Sequence, residues 1–286
     1  MITVDSNMCP VGCKYCAVSQ IDCRRSLWNK STLIGINKAV TFINPPPDIT
    51  NKAEVERFYN LDPGLFEGDI LCFNAISDPF WQKYHCELDY FLRTFNKVAK
   101  IMTCVTKMPV PEKLMEKLSS YRNFRLIVSI TGLEKLEKTT TKSRLKTLEL
   151  AKKYKVEAFP LCHPYIACMT DLGFLSALKT LGYNEIDIKG LRYNPRFNEW
   201  LPENAVHLYE GSDEMEILIN DFEEELNKSG LKKVSLKEWY KKQELRTPSL
   251  DYETARLKVT EVFKMANITS SDTDKKVFDA AVQRRL

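Results

Sequence analysis

Three thiols stand within eight residues in the stretch Met8-Cys9-Pro10-Val11-Gly12-Cys13-Lys14-Tyr15-Cys16, at the spacing C-x3-C-x2-C. Thiolate is the ligand type that iron–sulfur clusters select, and one loop can supply three corners of a four-iron cluster. The fourth iron then has no protein ligand and is open to a cofactor, to which a reduced cluster can pass one electron. A structural zinc is the competing reading, because a closed tetrahedral site takes four Cys or His ligands. Cys23 is the nearest spare thiol, while His85, His163 and His207 lie far along the chain. A four-cysteine zinc knot therefore stays open beside the cluster.

Composition narrows the setting in which such a loop works. The chain has 286 residues, 44% hydrophobic and 28% charged, ordinary values for a globular protein with a sizeable core. No run of about 18 apolar residues suggests a membrane span. Nine cysteines and a first stretch without basic start or apolar core point to a reducing, cytoplasmic location. The net charge of +4 is too small to announce a nucleic-acid binder. Its distribution is uneven: residues 1–195 hold 27 basic against 20 acidic side chains, and residues 196–286 hold 15 against 18. The basic excess travels with the cysteine loop and favours an anionic substrate.

The elements that must position the loop alternate. Ile2-Thr3-Val4 reads as a short strand running into the cysteines, and Asp69 to Phe73 as a strand buried on both faces. Between them Pro45-Pro46-Pro47 forbids a helix, and Asn51 to Phe58 reads as a short one. Further strands follow over 101–105, 124–130, 156–161 and 185–188, separated by helices over 84–98, 111–120, 143–154 and 171–181. Six strands with helical crossovers imply a parallel sheet with right-handed connections, an α/β partial (β/α)6 barrel over residues 1–195. Chemistry in such barrels gathers at the C-terminal ends of the strands. Residues 196–286 read as a helical extension packed on the barrel, with helices over 213–228, 235–244, 251–266 and 272–285.

The loop and this fold together resemble the radical S-adenosylmethionine (SAM) superfamily, in which an aromatic residue precedes the last cysteine as Tyr15 does here. Further stretches resemble its spore photoproduct lyase-like, or DNA-repair-photolyase-like, branch. These are Ala75-Ile76-Ser77-Asp78-Pro79-Phe80, Val105-Thr106-Lys107-Met108, Ser129-Ile130-Thr131 with Ser143-Arg144-Leu145, and His163-Pro164-Tyr165-Ile166 with Thr170-Asp171. The likeness covers residues 2–195.

The resemblance implies a [4Fe-4S] cluster on Cys9, Cys13 and Cys16, with SAM chelating the open iron. It implies reductive cleavage of SAM to a 5′-deoxyadenosyl radical that abstracts a substrate hydrogen. Ser77 and Asp78 suit the SAM amino group, and the guanidinium of Arg144 suits its carboxylate. Ser129 and Thr131 suit the ribose or the carboxylate, Lys107 the carboxylate or an anionic substrate, and Tyr15 the adenine. A flavodoxin or ferredoxin would donate the electron, and the substrate class implied is a nucleic acid or nucleotide. A peptide or small metabolite is the alternative, and a non-catalytic, metal-stabilised nucleic-acid module is the reading from another class. One departure stands out: Asn74-Ala75-Ile76 carries no cysteine where the lyase places its hydrogen donor. Cys72, Cys104 and Cys162 read as small buried apolar residues, and Cys86 and Cys168, closer to loops, as candidate hydrogen donors or ligands of a second cluster. Pro79 to His85 reads as an aromatic loop that stacks on a base or packs beneath its crossover helix.

Overall fold

The computed structural model describes residues 9–16, 34–37, 40–46, 50–74, 77–210 and 220–242. The expected strand Ile2-Val4, residue Cys23 and the expected helices 251–266 and 272–285 lie outside them.

The described chain starts its sheet with a hairpin, β1 (Ile34–Asn37) antiparallel to β2 (Val40–Ile43). Helix α1 (Lys52–Tyr59) follows, its first turn closed by the Asn51 side chain accepting from Glu54 N–H. Then β3 (Ile70–Phe73), α2 (His85–Phe95), β4 (Ile101–Thr106), α3 (Glu112–Ser119) and β5 (Phe124–Ser129) alternate. Helix α4 (Thr141–Lys153), β6 (Glu157–Tyr165), α5 (Phe174–Thr180) and β7 (Glu185–Gly190) continue the pattern. Helices α6 (Glu203–Glu210) and α7 (Asn220–Ser229), strand β8 (Lys232–Lys233) and helix α8 (Leu236–Lys242) complete it.

The strands lie side by side in sequence order from β1 to β8, and every pairing from β2 onward is parallel. A parallel sheet wound in one direction, with right-handed crossovers, puts its helices on one face and curls the other into a concave wall. This is the expected mixed α/β, partial-barrel class. Its strand set differs from the expectation on one side: the place beside β3 is taken by Val40–Ile43, inside a region whose sequence gave no strand signal. A four-residue strand with the pattern Val-Thr-Phe-Ile, ending at Asn44 and Pro45, is too short to show a period.

Alternation along the strands sorts the core into two. Leu71, Phe73, Met102, Cys104, Leu126, Val128, Ile186 and Ile188 face the helices, against Phe91, Phe95, Met115, Leu118, Leu148, Leu175 and Leu178. Ile70, Ile101, Ile127, Phe159 and Leu161 face the concave side. There they meet Trp239 and Tyr240 of α8, so residues 234–240 return to fill the barrel's own interior. The Trp239 ring stacks on Phe159 with centroids 4.8 Å apart, and the Tyr240 hydroxyl donates to Thr103 Oγ1 at 3.4 Å. Burying one such large apolar side chain contributes about 1.5–3 kcal/mol. Cys72, Cys104 and Cys162 are buried, as their apolar contexts implied, and Cys86 and Cys168 are exposed.

Candidate functional site

The cysteine loop is anchored by the turn that follows β5. Lys14 N–H donates to the Leu136 carbonyl and Lys138 N–H to the Val11 carbonyl, each at 3.1 Å. Gly12 sits between these bonds at φ +56°, where a side chain is strained and where an added Cβ would meet Lys138 Cε at 3.0 Å. Cys16 N–H turns back onto the Cys13 carbonyl at 3.2 Å. Cys13 is buried, while Cys9 and Cys16 are half-buried.

The loop rests on groups from the C-terminal ends of β3, β4 and β5. Ser77 lies beside the Cys9 thiol, and its Oγ is buried without a hydrogen-bond partner. Asp78 has both carboxylate oxygens engaged. It accepts from Thr106 Oγ1 at 2.8 and 3.0 Å, from Lys107 N–H at 2.8 Å, from Phe80 N–H at 3.1 Å and from Met108 N–H at 3.2 Å. It is therefore the clasp that fixes the turn after β4, and so the position of Lys107.

The Lys107 ammonium has three acceptors: the Tyr15 hydroxyl at 2.6 Å, Glu137 Oε1 at 3.0 Å and the His163 carbonyl at 3.1 Å. It also lies 4.7 Å from the centre of the Tyr15 ring, a cation–π contact that holds the loop from below. Burial pulls its pKa down to about 8, with the Cys13 thiol pulling the other way. Glu137 is the hub of the cluster. It receives Lys107, Thr131 Oγ1 at 2.9 Å and the guanidinium of Arg144. Burial pushes its carboxyl up to about 7, against Arg144, which pulls it down.

Arg144 is fully buried, and all three guanidinium nitrogens are committed. Nε donates to the Lys107 carbonyl at 3.0 Å and Nη1 to Thr131 Oγ1 at 3.1 Å, while Nη2 reaches Glu137 and Thr139 Oγ1 at 2.6 Å. The carboxylate that it meets in this structure is Glu137, through Nη2 alone. Ser129 Oγ donates to the His163 carbonyl at 3.4 Å. Gly132, at φ +61°, completes the rim: an added Cβ would stand 2.1 Å from the Asp171 carbonyl, so only glycine lets the two loops meet. Of the aromatic loop after β3, Phe80 and Tyr84 are buried in the core and Trp81 packs edge-on against Tyr84 at 5.6 Å. That loop packs beneath its crossover.

The structure thus gathers Cys9, Cys13, Cys16, Tyr15, Ser77, Asp78, Lys107, Ser129, Thr131 and Arg144 at one end of the sheet. Sequence reasoning missed Glu137, which nothing in Leu133 to Thr139 distinguishes from the other acidic residues. The burial of Arg144 did carry a signal. Residues 144, 147, 148 and 151 share one face of α4, and all are buried.

Among the described residues no group of three or more His, Cys, Asp or Glu side chains is placed to hold a metal ion. The three thiols are of the ligand type that a thiolate cluster takes. Burial raises the Cys13 thiol to about 12, Glu137, Cys16 and Cys9 add to that, and Lys107 opposes it. A bound cationic metal relieves the first two effects and leaves the third as counter-charge.

No family model matches the chain, and no curated protein matches it. A solved structure described as native anSMEcpe with bound AdoMet and Cp18Cys peptide is similar at 19% identity with a TM-score of 0.32. The match covers 56% of this chain and 41% of that one, so the chain spans less than half of its neighbour. A likeness this slight bears on neither fold nor function. No helix among the described residues is long and apolar enough to cross a membrane.

Proposed function

We propose that this chain is a radical SAM enzyme. The observation that carries the reading is the seating of a C-x3-C-x2-C loop at the C-terminal ends of parallel strands, beside a buried unpartnered hydroxyl and a buried ammonium. Cys9, Cys13 and Cys16 would hold a [4Fe-4S] cluster. When bound, the cluster and SAM supply one-electron cleavage of a sulfonium and hydrogen abstraction from a substrate. The chain's own residues do the rest. Ser77 Oγ is available to a ligand amino group near Cys9. Lys107 offsets the charge of the thiolates through space and fixes Tyr15 through its hydroxyl. Asp78 and Glu137 act as positioning residues for these two, because their oxygens are spent on the protein itself.

The substrate class proposed is a nucleic acid or nucleotide, supported by the sequence resemblance and by the basic excess of residues 1–195. The electron donor proposed is a flavodoxin or ferredoxin, and the compartment the cytoplasm.

Anaerobic reconstitution with iron and sulfide tests the reading. Reduced protein is expected to give a four-iron paramagnetic resonance signal that changes on adding SAM, and to yield 5′-deoxyadenosine. Stoichiometric zinc in the purified protein, with no 5′-deoxyadenosine formed, would sink it. Cys13→Ala is expected to abolish cluster binding, and a full four-iron signal in that variant would remove Cys13 from the ligand set. Addition of DNA or nucleotides is expected to raise 5′-deoxyadenosine above the uncoupled level. A response to peptides alone would reverse the substrate assignment.

A further inference from the structure

The concave face changes character along its strands. Its lower part is filled by Trp239 and Tyr240, whereas one layer higher Val105 of β4 is 36% exposed although it lies mid-sheet. An apolar strand residue left open to solvent on a concave face marks a space that the described residues do not fill. Strand periodicity places Ser129 of β5, His163 of β6 and Asp187 of β7 around the same space. His163 Nε2 stands 3.3 Å from Asp187 Oδ2, and the His163 side chain is 27% exposed. Its Nδ1 makes no hydrogen bond among the described residues and is not buried. Asp187 itself is buried and held by Leu236 N–H at 3.0 Å, at the start of α8. The charged groups that face the imidazole are Asp187 and Lys189 from β7 and Lys107 from the turn after β4.

We propose that His163 and Asp187 form a proton-accepting pair in the open upper part of the concave face, suited to a substrate group that carries an O–H or N–H. The inference rests on the enzyme reading above, because it takes this space as the substrate chamber. The Asp187 carboxylate, 3.3 Å away, favours the tautomer that keeps the proton on Nε2, which leaves the Nδ1 lone pair free to accept. In the step, the substrate's O–H or N–H bond breaks and its proton passes to Nδ1. The bonding electron pair stays on the substrate oxygen or nitrogen. The carboxylate of Asp187 balances the imidazolium, and the Lys189 ammonium nearby balances the anion left on the substrate. Burial holds the His163 pKa below its ordinary value, with Asp187 working against it, so the ring is neutral and able to accept at pH 7. Asp187 stays ionised: burial raises its carboxyl, but His163 and the Leu236 N–H pull it below the usual range.

The chain has three histidines, so each ring can be followed separately in the full-length protein, with or without a cluster. In nitrogen-15 imidazole spectra at pH 7, His163 is expected to be neutral with its proton on the nitrogen facing Asp187, and Asp187→Asn is expected to mix the tautomers. Diethylpyrocarbonate, which acylates only an accessible, unprotonated imidazole nitrogen, is expected to modify His163 in the folded protein. Asp187→Asn is expected to slow that reaction several-fold while leaving His85 and His207 unchanged. An inert His163 beside modified His85 and His207, or a tautomer that ignores Asp187→Asn, overturns the proposal. Neither measurement depends on iron, SAM or turnover, so a failure here is distinct from a failure of the radical SAM reading.

Discussion

The two ends of the concave face solve opposite problems with the same alternation of strand residues. At the bottom, Ile70, Ile101, Ile127, Phe159 and Leu161 meet Trp239 and Tyr240 in an apolar plug whose stability comes from area removed from water. At the top, Lys107, Glu137 and Arg144 form a buried ionisable cluster, each satisfied by the others and by Thr131, Tyr15 and backbone. Apolar packing tolerates small shape errors, whereas a buried charge tolerates no missing partner. The molecule thus keeps its forgiving core away from the site and places its demanding one directly beneath the cysteine loop.

Breaking each end separates the two designs. Trp239→Ala should cost about 3–5 kcal/mol by denaturant unfolding, the range for a large aromatic lost from a core. The fraction that remains folded should still bind iron in full stoichiometry. Glu137→Ala should cost a comparable amount, about 3–5 kcal/mol, because Arg144 and Lys107 are left buried without their counter-charge. Here the folded protein should also lose order in residues 9–16, read as faster amide exchange in Lys14 and Lys138. A loop as protected as in the parent would show that the charge cluster does not hold it. Tyr240→Phe should cost only about 0.5–1.5 kcal/mol, since it removes one long hydrogen bond and no packing.

The smallest effect expected depends on pH. Burial depresses the folded-state pKa of His163, so the unfolded chain binds that proton more readily. The resulting stability is present above the free imidazole value of about 6.5 and declines as pH falls through it. Unfolding midpoints between pH 7 and 5 should fall less in His163→Gln than in the parent. Equal slopes would mean that the ring takes up protons as easily folded as unfolded.

Much of the upper end was legible in the chain. The cysteine spacing, the Ser-Asp pair after one strand and the Thr-Lys pair after the next each fall where strand-end chemistry is expected, because a parallel alternation delivers all its strand ends to one rim. The fit between Arg144 and a carboxylate was legible as chemistry but not as partner, since a guanidinium fork looks the same whether it waits for a ligand or is filled by Glu137. The strands Ile34–Asn37 and Val40–Ile43 were not legible, because four-residue strands show no period and only the pairing of the second with Ile70–Phe73 ties them to the sheet.

By itself the sequence determined which chemistry is available and the alternation that builds the wall: three thiols on one loop, buried strands and helical crossovers. Local spacing and periodicity are sufficient for those, as each is a property of neighbours in the chain. Only the tertiary structure decided that Glu137 binds Arg144 and Lys107, that Trp239 and Tyr240 close the barrel from inside, and that His163 and Asp187 share the space left above them. These pairings join residues 7, 30, 80 and 24 positions apart. They follow from how the sheet curls and from the requirement that every buried charge find a partner, which no local pattern records.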